Sequence, residues 1–233
     1  MREGIPVLIG SIAGGMFEDV YKAPLLLGGA VGGQPVGDGF HLVFAEQAIG
    51  MFAETRDQIT AELMIRAALT GHLVFSTLHT NDAISAIPRL TDLGIPPYLL
   101  SSSLLGLSAQ RLARRLCPVC KEAVSLSPEE WLSLGGRPVD EPVKVYRPVG
   151  CQACGQKGYN GRISLAEIIM IDSGLQQLID NEEPTSKMKQ YLQAQGVDFM
   201  RQDGLAKARA GLTSIEEVGR IIQLAAEDLE QAR

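Results

Sequence analysis

The chain has 233 residues, 45% of them hydrophobic and 21% charged, so it can bury an ordinary core and disorder is not its default state. Its 27 acidic and 21 basic residues leave a net charge of −6, which argues against nonspecific attraction to nucleic acid or to an anionic surface and leaves room only for local basic patches. No stretch reaches the ~18 consecutive apolar residues that a membrane-spanning helix needs.

The opening MREGIPVLIGSIAGGMF places Arg2 before an apolar run, as a short signal sequence would. Glu3, Pro6 and the scattered glycines favour instead a buried first strand from Ile5 to Ile9 and a cytoplasmic chain. Residues 28–39, GGAVGGQPVGDG, read as a glycine-rich loop. A short buried strand is expected over 49–53, a helix over 58–70 and a second strand over 73–78, LVFSTL. A helix should follow from Asp82, kinked by Pro88, because a proline inside a helix costs about 3 kcal/mol. Residues 98–116 are expected to be helical, with Arg111, Arg114 and Arg115 near one solvated or interface face. Further helices are expected over 172–182, 184–196, 200–210 and 213–230, with Gly196 and Gly211 as stops.

Four cysteines form two pairs of identical spacing, Cys117 and Cys120 in CPVC and Cys151 and Cys154 in CQAC. Each short turn aims both sulfurs the same way, so the four thiolates suit one tetrahedral ion, zinc first. The plain alternative is two reduced pairs or a disulfide, which a reducing compartment disfavours. The 30 residues between the pairs exceed a compact ribbon and must hold a small insertion. Within it, Ser127 in SPEEWLSLG can cap a short helix whose first turn carries Glu129 and Glu130.

Strand, helix and strand with apolar strands imply a parallel sheet flanked by helices. Polar clusters follow two of those strands: Glu54, Thr55, Arg56 and Asp57 after GMF, then STLHTNDA with Thr77, His79 and Thr80. If the strands are adjacent and parallel, both clusters open on the edge of the sheet where ligands bind. The bland alternative for STLHTNDA is a turn in which Asn81 or Asp82 caps the next helix.

MFAETRD followed by AALTGHLVFSTLHTNDA resembles the core of the type II secretion and type IV pilus-assembly ATPases, a family of hexameric P-loop motors. SSLLGLSAQRLARRLCPVC, GCQACGQKGYNGR and RQDGLAKARAGLTSIEEVGR continue the resemblance in the family's order, with Ala53 and Thr55 departing from its strand-end pattern. FEDVYKAP at 17–24 resembles a shortened form of the family's acidic box, with Glu18 and Asp19 as its remnant. The resemblance implies a partial RecA-like sheet over 1–116, a tetracysteine zinc subdomain over 117–162 and a helical region over 163–233. It implies that Glu54 is the catalytic carboxylate and that Arg56, Asp57, His72, Thr77, His79 and Thr80 respond to nucleotide. It also implies Mg2+ and ATP as cofactor and substrate, a hexamer, and inner-membrane platform proteins as partners of a peripheral, cytoplasmic protein.

One part of the pattern is missing. A phosphate loop needs glycines around a run of backbone N–H groups, then a lysine and a hydroxyl, whereas this sequence contains no Gly-Lys pair. The chain is therefore expected to be the later part of such a motor and to be deficient in ATP hydrolysis. A noncatalytic assembly subunit is the alternative. A zinc-ribbon nucleic-acid binder is a second one, disfavoured by the acidic balance.

Overall fold

The computed structural model describes residues 54–222 in full and, before them, the backbone of the strands at 7–12, 35–36, 39–40 and 49–52. Glu18, Asp19 and most of the glycine-rich loop lie outside the described residues. In chain order the elements are β1 (Val7–Ile12), β2 (Pro35–Val36), β3 (Gly39–Phe40), β4 (Ile49–Phe52), α1 (Gln58–Leu69), β5 (Leu73–Thr77), α2 (Ala86–Asp92), α3 (Pro97–Ser103), β6 (Leu104–Leu116), β7 (Glu122–Leu126), α4 (Pro128–Ser133), β8 (Val143–Arg147), β9 (Tyr159–Met170), α5 (Ser173–Asp180), α6 (Thr185–Ala194) and α7 (Met200–Arg209). Residues 215–222 form a further helical stretch.

These elements gather into two compact units, one of residues 1–109 with 168–197 and the other of residues 110–167 with 198–233. Neither is a continuous piece of chain, whereas the sequence suggests three consecutive segments. The stretch expected as one helical region opens with strand β9, gives α5 and α6 to the first unit and gives α7 to the second.

In the first unit β4, β5 and β1 are parallel neighbours, with Ile49 opposite Leu73 and Val7 opposite Val74. The sheet order is β4-β5-β1-β6-β9. The helix after β4 begins at a side-chain cap: Asp57 accepts hydrogen bonds from the Thr60 N–H and hydroxyl, both at 2.9 Å. Its buried residues, Ala61, Met64, Ile65 and Ala68, recur at three and four and turn one face inward. Gly71, at φ 98°, then reverses the chain into β5.

Two expectations are corrected here. Pro88 does not kink a helix, because α2 starts at Ala86 and the proline falls in its first turn, where the missing N–H has no helical partner to lose. Residues 98–116 are not one helix: α3 ends at Ser103 and the chain continues as β6. LLGLSAQRLARRL carries apolar residues at spacings that suit either period, and pairing in the sheet decides for the strand. Ile171 N–H donates to Leu105 O at 2.9 Å, so β9 returns along β6. Gly106 permits the approach, since a Cβ there would stand 3.1 Å from Ile169 O.

The same unit is closed by α5 and α6. Asp172 caps α5 through the Leu175 N–H at 2.8 Å and accepts the Tyr191 hydroxyl of α6 at 2.7 Å. Ser101 of α3 donates to Asp180 of α5 at 2.5 Å. Leu175, Ile179, Met188 and Leu192 supply the buried faces.

The second unit has its own small core. β7 and β8 pair antiparallel from Glu122 opposite Arg147 to Leu126 opposite Val143. Between them α4 starts with the expected capping box, Ser127 and Glu130 each accepting the other's backbone N–H. Trp131, Val143, Val145 and Leu205 form a buried cluster, and the indole N–H donates to Arg137 O at 3.0 Å. Glu217, fully buried, meets Arg114 at 2.7 Å and Arg220 at 2.6 Å, and the Arg114 guanidinium lies 4.1 Å over the Tyr159 ring.

Candidate functional sites

Adjacent parallel β4 and β5 bring two polar clusters to one edge of the sheet, as their strand-end positions in the sequence imply. Thr55 N–H donates to Thr77 O at 2.9 Å, which extends the pairing one step past β4. Glu54 then projects beside His79, whose Nε2 contacts its carboxylate, and beside Arg56, whose guanidinium lies 2.5 Å from the other oxygen. Arg56 and His79 are largely exposed, whereas Glu54 is only a quarter exposed at 24%. The Arg56 guanidinium holds the Glu54 carboxyl below its usual range; partial burial opposes this and His79 adds to it. The carboxylate is thus charged and fixed in direction at the mouth of the sheet.

Thr55 stands where the resembled family has an apolar residue, and its surroundings explain the exchange. Its side chain is buried, and its hydroxyl shares a 2.7 Å hydrogen bond with Ser76 Oγ of β5. A buried hydroxyl with such a partner costs little.

The other expected residues divide. Thr77 ends β5, and His79 and Thr80 follow it. Asp57 serves as the N-cap of α1, and its bonds from Thr60 hold its carboxyl below the ordinary range. His72 lies at the opposite end of β5, roughly 16 Å from Thr77 at ~3.3 Å per residue. There its Nδ1 sits 3.2 Å from both Thr70 Oγ1 and Ala67 O, so it secures the turn between α1 and β5. Asp82 accepts the Ser85 N–H at 2.9 Å and pairs with Lys189 of α6 at 2.7 Å. This fixes the end of STLHTNDA through a contact that sequence spacing does not reveal.

The four cysteines come together in the second unit. All four Sγ atoms lie within 4.8 Å of one another, with Cys117 and Cys151 at 3.9 Å, Cys120 and Cys154 at 3.9 Å, and Cys151 and Cys154 at 3.8 Å. Four sulfurs ~2.3 Å from one ion at tetrahedral corners stand about 3.8 Å apart, so the cluster fits a zinc-sized cation. Backbone N–H groups of Gly150, Cys151 and Gly158 point at the sulfurs of Cys120 and Cys154 at 3.2 to 3.3 Å. Burial pushes the Cys154 thiol up, but the Cys151 and Gly158 N–H groups outweigh it and hold it down to about 6. Cys117 N–H donates to Gly158 O at 2.9 Å and locks the two loops together. Only glycine fits at 158, where φ is +73° and a Cβ would lie 2.5 Å from Pro148 Cβ.

Arg114 departs from its expected role. In strand β6 it alternates with Arg115 instead of sharing a helix face, and its guanidinium is committed to Glu217. Glu217 itself escapes sequence reasoning, since its partner lies 103 residues away and no local pattern joins them.

The Type II/IV secretion system protein family model matches residues 49–220. The chain is 47% identical over 171 residues to the type II secretion system ATPase E of Vibrio cholerae, covering 73% of this chain and 34% of that protein. It is 46% identical over 175 residues to the type IV pilus assembly ATPase TfpB of Acinetobacter baylyi, covering 75% of this chain and 30% of that one. The chain thus spans about a third of the length of the curated relatives it matches. Among solved structures, the Legionella pneumophila ATPase DotB shares the fold with a TM-score of 0.59 at 16% identity, over 95% of this chain and 61% of that one. The pilus retraction motor PilT with bound ADP does so with a TM-score of 0.50 at 24% identity, over 74% and 39%. By the extent of the family match, and in agreement with the parallel strand ends and the gathered cysteines, this chain belongs to the Type II/IV secretion system protein family.

Proposed function

We propose that this chain is the nucleotide-responsive and metal-bearing portion of a motor ATPase that powers type II secretion or type IV pilus assembly. The meeting of Glu54, Arg56 and His79 at the ends of adjacent parallel strands carries the reading. In it Glu54 orients the attacking water, while Arg56 and His79 fix that carboxylate and, with Thr77 and Thr80, respond to the terminal phosphate. Asp57 and His72 hold the two ends of α1 in place. Mg2+ and ATP are the ligands of this edge, and Zn2+ is the structural ion of the four cysteines. The motor works as a hexamer, peripheral to the inner membrane on its cytoplasmic side, with membrane-embedded platform proteins as partners and without nucleic acid.

Phosphoryl transfer is mostly positioning and charge stabilisation, to which a phosphate-loop lysine, loop amides and a magnesium-binding hydroxyl contribute heavily. This sequence offers no Gly-Lys pair for that task, so the chain by itself should hydrolyse ATP at background rate. Steady-state phosphate release is the measurement. Turnover well above a protein-free control that disappears in Glu54→Gln would reveal a phosphate site in this chain and overturn the deficiency.

A further inference from the structure

The four sulfurs of the metal-site loops are nearly equidistant from one another, but their surroundings are not alike. Backbone N–H groups are aimed at two of them: Gly150 donates to Cys120 Sγ at 3.3 Å, while Cys151 and Gly158 donate to Cys154 Sγ at 3.3 and 3.2 Å. Among the described residues, the sulfurs of Cys117 and Cys151 have only other cysteine sulfurs as hydrogen-bonding neighbours. An N–H bond to a thiolate draws on the lone pair that would attack an electrophile, so Cys117 and Cys151 carry the stronger nucleophiles of the four.

Access divides that pair. Cys117 is buried, with 1% of it exposed, whereas Cys151 is partly exposed and is followed by the exposed Gln152 and Ala153. Cys120 is as open as Cys151 but holds the Gly150 N–H. Cys151 therefore combines a lone pair that no N–H draws on with an open approach. Its sulfur lies 3.9 Å from Cys117 Sγ and 3.8 Å from Cys154 Sγ, and of these neighbours Cys117, which takes no N–H, is the better second nucleophile.

We propose that Cys151 is an oxidant-sensitive modification site, through which hydrogen peroxide exchanges the bound ion for a disulfide between the two cysteine loops. The proposal rests on the reading of the four cysteines as the site of one zinc ion. Cys151 Sγ attacks a peroxide oxygen: the S–O bond forms, the O–O bond breaks, and the hydroxide that leaves is protonated to water. Cys117 Sγ then attacks Cys151 Sγ, forming the S–S bond and expelling a second hydroxide, which is also protonated. Two thiolates give up two electrons, one peroxide accepts them, two protons are taken up and two waters are released. Two thiolates are then lost to the ion, which needs all four in a closed site, while the loops stay tied by the disulfide and by the Cys117 N–H bond to Gly158 O.

The test uses the full chain after its zinc content has been measured. Substoichiometric N-ethylmaleimide, followed by peptide mass spectrometry, should label Cys151 about fivefold or more above each of the other three cysteines. Hydrogen peroxide should release zinc to a chromogenic chelator together with a Cys117–Cys151 disulfide, and a dithiol with added zinc should reverse both. Cys151→His keeps a nitrogen ligand for the ion and removes the nucleophile, so peroxide should release zinc from it about tenfold more slowly. Chain that lacks zinc would refute the metal reading on which the proposal rests. Zinc-loaded chain labelled first at Cys120, or equally at all four cysteines, would overturn Cys151 as the modification site. Zinc kept through peroxide treatment, or a disulfide closed within one of the two short cysteine pairs, would overturn the exchange.

Discussion

At Glu217 two guanidinium groups and the Arg114 N–H converge on a carboxylate that has no exposure to water. Burial alone would push its carboxyl up; Arg220 and Arg114 outweigh that and hold it down to about 2. A carboxyl whose folded value lies below its ordinary 4.5 stabilises the fold fully above that pH and ceases to do so as the pH falls toward about 2. Glu217→Gln should cost about 3 kcal/mol or more at neutral pH, because it leaves two guanidinium groups against a neutral amide. Urea titration measures the loss, and the gap between variant and parent should narrow as the pH is lowered through that window. The sequence foretells Glu54 and His79 better than Glu217. A polar residue just beyond an apolar strand is a local pattern, whereas a pair 103 residues apart exists only once the chain has folded.

Among the elements, β6 teaches the most about sequence reading. Its hydrophobic spacing, with Gly106 as its one breaker, does not choose between helix and strand, and the choice is made by β9. The parallel strands at 49–52 and 73–77 and the helix between them were legible, because their apolar runs and spacing announce them locally, although the capping role of Asp57 came only with the fold. Strands β7, β8 and β9 were not, since short or partly exposed strands owe their order to partners distant in sequence. The cysteine loops were legible from spacing alone. They also make a test at this scale, for metal binding that joins two distant loops couples to folding. Removal of metal by a chelator, or Cys151→Ser, should abolish stoichiometric zinc by metal analysis and lower the thermal midpoint of the second unit. The single tryptophan of the chain, Trp131, is buried in that unit and reports its unfolding by fluorescence. Metal-free protein with an unchanged melting profile would refute the coupling.

For the whole molecule, the exposed apolar residues bear on assembly. Ile59 and Leu63, one turn apart on α1, are 72% and 52% exposed, and Leu69 near its end is 51% exposed. A head-to-tail contact between copies would cover such a face and closes into rings when the rotation allows. The chain should therefore associate as concentration rises, and light scattering over a dilution series should show it; a monodisperse monomer at high concentration would speak against it. The interleaving of the two units has a different consequence, for the order of events during synthesis. The first unit buries α3 against α5, with Ser101 bonded to Asp180, yet α5 begins 70 residues after α3 ends. At ~5–20 residues per second a nascent chain would hold the face of α3 that packs on α5 without that partner for roughly 4 to 14 seconds. Neither unit can close before the ribosome has passed residue 197. The growing polypeptide, more than the finished one, is the species that needs a chaperone's shelter.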